Sequence, residues 1–220
     1  MERTITVKGT GRLKAAPDRI EIALTIRTKN KVYAEAVEDS SKLLSSLREA
    51  LLPAGFTEDD LKSTGFFVRS EYEGVRDRNG EYRQVFSGYV CEHMLMLRFP
   101  FDTDRLSETL TAITRCLAEP ELNISFTVAE KERLAGDVLK RAVADAKERA
   151  AVIAEASGVK IVRVLSVNHG AAQHNFVSPT AFGFSAKRMA NAVEEDCVDM
   201  QISPESVSVS DTVDMVFEIE

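Results

Sequence analysis

The segment LAGDVLKRAVADAKERAAVIAEASG, from Leu134 to Gly158, limits most sharply what this chain can fold into. Leu134, Val138, Ala142, Ala146, Ala150 and Ile153 recur at close to one helical turn, with charged residues at many of the positions between. That spacing predicts one long amphipathic helix with a narrow, alanine-lined buried stripe. At 1.5 Å per residue it would run nearly 40 Å, roughly enough to cross a whole sheet. A stripe of small side chains lets a helix lie close against another backbone, so the segment speaks of packing and assembly and carries no chemistry of its own.

Strand patterns flank it. Ile5 and Val7 alternate with polar residues up to Gly9 and Gly11, which predicts a short strand and a turn. Ile20, Ile22, Leu24 and Ile26 share one face of a half-buried strand. From Val32 to Leu52 the period turns helical, with Val37, Leu44, Leu47 and Leu51 on one side, and Pro53 to Gly55 stop it. Strands follow at Phe66 to Tyr72 and Val85 to Phe99, joined by a turn-rich stretch whose Asn79-Gly80 is a strong hairpin signal. Asp102 can cap a further helix carrying Leu106, Leu110, Ile113 and Leu117 on one face. Leu122 to Val128, Ile161 to Val167 and the alternating run from Val207 to Ile219 read as strands.

The element order predicts an α+β fold: a mixed, largely antiparallel sheet with helices packed on one face. Two loosely similar βαβ stretches, about 20–75 and 89–130, suggest duplicated units. The expected organisation is a single domain over 1–220, with a long loop or arm at 170–203 where no period is sustained.

Composition narrows the function classes. A net charge of -7 without a dense Lys/Arg run excludes a large nucleic-acid footprint. No run of about 18 apolar residues occurs, so no membrane insertion is expected. The first residues, MERTITVKG, enter a strand pattern directly, and Cys91, Cys116 and Cys197 are odd in number and far apart. Both features give a cytoplasmic expectation with reduced thiols.

Motifs of chemistry are weak. Gly9 to Lys14, GTGRLK, superficially looks like a phosphate loop, but Pro17 and a strand follow where a helix N-terminus would be needed, so a connecting turn is the reading. His93, His169, His174 and Cys197 are the best soft metal ligands, yet they lack ligand spacing, and His93 reads as a structural mid-strand histidine. Cys91 on an apolar strand, Cys116 near a helix C-terminus and Cys197 after Glu194-Glu195-Asp196 are all unsuited to a low thiol pKa. Glu58-Asp59-Asp60 reads as a solvated cluster, and Asp18 as a turn residue bonding local backbone. No nucleophile elbow or framed acid pair is present. Catalytic residues, metal and cofactors are therefore expected to be none.

The pieces in this order resemble the SIMPL domain family. ITVKGTGRLKAAPDRIEIALTI matches its opening, an I-x-V-x-G-x-G strand, a Pro-Asp pair and a second strand. GFTEDDLKSTGFFVRSEY matches its G-[IF]-x-x-x-D-[IL]-x-[ST] segment, and Gly88-Tyr89, the alanine-repeat helix and ISPESVSVSDTVDMVFEIE complete the set. Ser70 departs from the pattern, standing where a proline is common, and the secretory leader of periplasmic members is not seen. The resemblance implies an α+β subunit that assembles into rings or hollow particles, with a stress-related role and no established catalytic residues. The expectation is thus a non-enzymatic homo-oligomer. Its contacts would come from the long helix, the hairpin at Asn79 and Gly80, and Phe176, Phe182 and Phe184 of the arm. The competing expectation is a small-ligand-binding domain or enzyme with a pocket near 170–203, lined by His169, His174 or Tyr89.

Overall fold

The computed structural model describes residues 3–76, 82–116, 118–170, 173–185 and 202–220. Its elements run β1 (Thr4–Ala15), β2 (Arg19–Asn30), α1 (Tyr33–Leu51), β3 (Leu61–Arg76), β4 (Tyr82–Pro100), α2 (Thr103–Thr114), β5 (Glu121–Thr127), α3 (Lys131–Ala156), β6 (Ile161–Asn168), β7 (Val177–Ser185) and β8 (Val207–Ile219). The α+β reading holds. The strands divide into two sheets, ordered β1-β8-β6 and β3-β4-β2-β5-β7. The described chain correspondingly forms two compact units: one of residues 1–18, 127–179 and 204–220, the other of 19–126 and 180–203.

In the second unit the two βαβ stretches are real and interleaved. β2-α1-β3 and β4-α2-β5 place their strands in the order β3-β4-β2-β5, a split βαβ arrangement. β2 pairs antiparallel with β4 from Arg19 opposite Pro100 to Asn30 opposite Tyr89. Ile20, Ile22, Leu24 and Ile26 thereby join Leu95, Leu97 and Phe99 in one core, closed by Leu47 and Leu51 of α1 and Leu106, Leu110 and Ile113 of α2. Asp102 caps α2, its carboxylate accepting from the Asp104 and Arg105 backbone N–H groups at 3.0 Å each.

The first unit is built on α3. Val138, Ala142, Ala146, Ala150 and Ala154 form a fully buried row at four-residue steps. Ile153, expected in that row, is instead 41% exposed, because a strict four-residue step from Ala150 lands on Ala154. The row lies on the helix-facing side of β1 and β8, among Val7, Val213, Met215 and Phe217. There Gly9 and Gly11 turn out to be mid-strand, not the start of a turn. A Cβ on Gly9 would sit 2.1 Å from the Ala142 carbonyl oxygen, and one on Gly11 2.0 Å from that of Val138. Backbone meets backbone, which only glycine permits. The outer edge of β1 is covered by the same helix: Asp145 Oδ2 accepts from the Thr10 N–H at 2.7 Å, and Arg141 donates to the Arg12 carbonyl at 3.2 Å. An edge strand closed in this way cannot recruit another strand.

The 170–203 stretch is not wholly a structureless arm. Residues 177–185 form β7 at the margin of the five-stranded sheet. Its Pro179 and Gly183 break the alternation that would have marked it in the sequence.

Candidate functional site

The most unusual surface is the distal part of the β3–β4 hairpin. β2 ends at Asn30, opposite Tyr89, so beyond that point β3 and β4 pair only with each other as a two-stranded ribbon. A register shift after Glu71 sets Tyr72 opposite Phe86. It is permitted by Gly88, whose φ of 151° suits glycine and whose missing side chain leaves room for the Asn30 carbonyl. Rings then follow one another edge-on: Tyr72 to Phe86 at 5.8 Å, Phe86 to Tyr89 at 5.1 Å, Tyr89 to Tyr33 at 5.6 Å. Tyr33 is the first residue of α1, so the apolar side that α1 covers further along continues past the helix as bare aromatic surface. Tyr72 is 55% and Phe86 41% exposed.

The opposite side of the same ribbon is charged. Lys29 reaches Glu71 at 2.6 Å and Glu73 at 2.8 Å, Ser87 donates to Glu73, and Arg27 and Arg69 converge on Glu92. The Lys29 ammonium pulls the Glu73 carboxyl below its ordinary range. These cross-strand ion pairs support the strand register, while the aromatic side carries exposed rings.

A second polar constellation lies in the first unit. Asp211 is 4% exposed on the helix-facing row of β8, between Val209 and Val213. His169 Nε2 is 2.9 Å and His174 Nε2 3.3 Å from the same oxygen, Oδ2, while Oδ1 accepts from the Thr212 N–H at 2.7 Å. The His174 contact lacks hydrogen-bond geometry, so it is electrostatic only. Burial disfavours the charge on Asp211, but the bonds from His169 and Thr212 and the nearby imidazoles outweigh it and hold the carboxyl below its usual range. Among the described residues no three His, Cys, Asp or Glu side chains are arranged to hold a metal ion.

The remaining candidates disperse. His93 is buried, bonds Ser63 Oγ through Nε2 at 2.8 Å, and has its pKa lowered by burial and then by Arg48. Cys91, on β4, and Cys116, just past the end of α2, are buried free thiols. Asp60 closes a turn on Thr57, and Asp18 accepts from the distant Ala129 N–H at 2.7 Å instead of a local donor. Phe176 packs half-buried against Val128, Val138 and Val207, and Phe182 packs edge-on to the buried Phe126. Phe184 falls on β7, its side chain outside the described set. Asn79, Gly80, Cys197 and Glu194 to Asp196 lie outside the described residues. Tyr89 belongs to the ring row, and cavities of about 730, 580 and 500 Å³ are lined, among the described residues, by none of 170–203. The ring row itself was missed in the sequence, where only the hairpin turn carried a signal.

An α+β chain with a glycine-bearing first strand under an alanine-lined helix, and an exposed aromatic ribbon, is what fold and surface define. The chain belongs to the SIMPL family, described as a protein of unknown function (DUF541), whose pattern matches residues 5–217. It is similar to the 26 kDa periplasmic immunogenic protein of Brucella melitensis biotype 1, with 24% identity over 216 residues, covering 98% of this chain and 84% of the relative. The figures are the same for that protein of Brucella abortus strain S19. An interleukin-1 receptor-associated kinase 1-binding protein 1 homolog of Xenopus laevis is 23% identical over 170 residues, 75% of this chain and 62% of the relative. Among the described residues no helix is long and apolar enough to cross a membrane.

Proposed function

We propose that this chain is a non-enzymatic protein that self-assembles through its β3–β4 ribbon. The carrying observation is the uncovered ring row Tyr33, Tyr89, Phe86 and Tyr72. A two-stranded ribbon is marginal in water by itself, and aromatic residues dominate interface cores. A second copy laid across the ring row would bury it, while the Lys29–Glu71–Glu73 side stays wet. β6 offers a further contact. Among the described residues it is the open margin of its sheet and exposes Val162, Val164 and Val167, whereas the β1 margin is closed by α3. The Xenopus relative is named for binding a protein, which fits a scaffold whose work is contact.

Light scattering after size exclusion tests this. The chain at micromolar concentration should elute well above the 24.3 kDa of one copy, and Tyr72→Glu with Phe86→Glu should reduce it to a folded monomer. A wild-type monomer, or a double variant that keeps the full assembly, refutes the proposal.

A reducing compartment is part of the same reading, supported by the unpaired thiols of Cys91 and Cys116. The Brucella relatives are named as periplasmic, which pulls the other way. Fractionation of cells expressing the full natural gene decides between them.

A further inference from the structure

A trough runs along the first unit between the end of β1 and the N-terminal half of α3. Its larger part, about 730 Å³, is floored by Leu13, Val128 and Leu134 and rimmed by Arg133, Lys140 and Arg141. That volume is in the range of small-molecule sites. It shares Leu13 and Arg141 with a second hollow of about 580 Å³, where Arg12 stands across from Ser210 and Lys14 from Ser208. Three acids also line the trough, and each already has a donor. Asp18 takes the Ala129 N–H, Glu130 pairs with Arg133 at 2.8 Å, and Asp137 pairs with Lys140 at 3.2 Å. Arg12, Lys14 and Arg141 have no carboxylate partner among the described residues. Arg141 is held at the junction of the two hollows by its bond to the Arg12 carbonyl, which leaves its other donors open. Arg12 and Lys14 alternate with the α3-facing Leu13, so with Ser210 and Ser208 they stand on the other face of the sheet, and Arg141 at the β1 edge joins this hollow to the apolar one. In a chain of net charge -7, these three unneutralised cations form a local anion well round the edge from the apolar floor.

We infer that this trough binds a small amphipathic organic anion, with a phosphate or carboxylate at Arg12, Lys14 and Arg141 and an apolar body over Leu13, Val128 and Leu134. Arginine suits the head group, because its planar fork matches such oxyanions bidentately. Two simpler ligands satisfy only half of the site. Inorganic phosphate leaves the apolar floor wet, and a neutral alcohol leaves the cations unmatched.

Calorimetric titration of the full chain with octyl phosphate, kept below its micelle concentration, tests this against octanol and inorganic phosphate. Octyl phosphate should saturate at one per chain and bind at least about tenfold more tightly than either half-ligand. Arg12→Glu with Arg141→Glu should lose at least about tenfold in affinity while the variant stays folded by circular dichroism. Lys14→Glu, at an exposed strand position, carries the same test if the double variant unfolds. Tyr72→Glu with Phe86→Glu should leave binding intact, which separates this inference from the assembly reading. Equal affinity for inorganic phosphate, or octyl phosphate binding that survives the charge reversals, overturns it. Binding to phosphatidylglycerol vesicles without binding of the monomeric anion also overturns it, because the site would then be a membrane-facing patch.

Discussion

Replacing Gly9 by alanine should cost this protein far more stability than a methyl group normally does. The added Cβ would stand 2.1 Å from the Ala142 oxygen and 2.6 Å from the Ala146 nitrogen, whereas ordinary contact begins near 3.4 Å. Both neighbours are main chain, so no rotamer change relieves the clash, and α3 must retreat by about 1.3 Å or tilt. A gap of even 0.5–1 Å forfeits about a quarter to a half of the dispersion attraction of the atoms that face it. The tightly packed row of Ala142, Ala146 and Ala150 would lose it together. Overpacking costs about 1–3 kcal/mol, and a backbone clash belongs at the upper end. The usual gain from stiffening the unfolded chain returns only about 0.4–1 kcal/mol. The net expectation is a loss of about 2–3 kcal/mol, or roughly 5–10 °C in Tm for a chain this size. Gly136→Ala is the control: it lies inside α3 with nothing within 4 Å of its would-be Cβ. It should gain about 0.8–1 kcal/mol from helix propensity. Thermal and urea unfolding followed by circular dichroism measure both. If Gly9→Ala proves as stable as wild type while Gly136→Ala gains, the backbone-to-backbone approach is not what holds α3 on β1.

Two further outcomes are expected. Because the Asp211 carboxyl is held below its ordinary pKa, its stabilisation is present above the unfolded value of about 3.9 and is lost as pH falls through the lower folded value. Urea midpoints should therefore drop steeply below about pH 4, and Asp211→Asn should flatten that part of the profile while costing about 1–3 kcal/mol at pH 7. An unchanged acid limb in the variant would show that the carboxylate is not stabilised by His169, His174 and Thr212. At the margin of the same sheet, Asp145→Ala should speed exchange of the Thr10 amide hydrogen while amides bonded to β8 keep their protection. Equal protection of Thr10 in the two proteins would mean that Asp145 does not close the strand edge.

Periodicity made the elements legible because their apolar positions repeat locally. The β2 isoleucines, the α1 leucines and the cap at Asp102 need only their neighbours in sequence, and each sits where the pattern puts it. The interleaved βαβ stretches were visible for the same reason. β7 was not, since Pro179 and Gly183 interrupt its alternation and its partner strand lies more than fifty residues earlier. Gly9 and Gly11 read as a turn because glycine most often serves one. Their actual role depends on Val138, Ala142 and Ala146, well over a hundred residues away. Of the candidate sites, the hairpin was legible through Asn79-Gly80. The ring row was not, because a register shift at Glu71 and the start of α1 decide which rings meet.

By itself, then, the sequence determined most element types, the α+β class, the family and the character of α3 as a thin, small-residue helix, all of which rest on local spacing or on motif order. The tertiary structure alone decided that the thin stripe lies on glycine backbone, that two histidines converge on Asp211, and that, among the described residues, a cationic trough and an aromatic ribbon stand open. Each of those depends on distances between residues far apart in the chain, and such distances are set by strand pairing and helix docking, which no local pattern encodes.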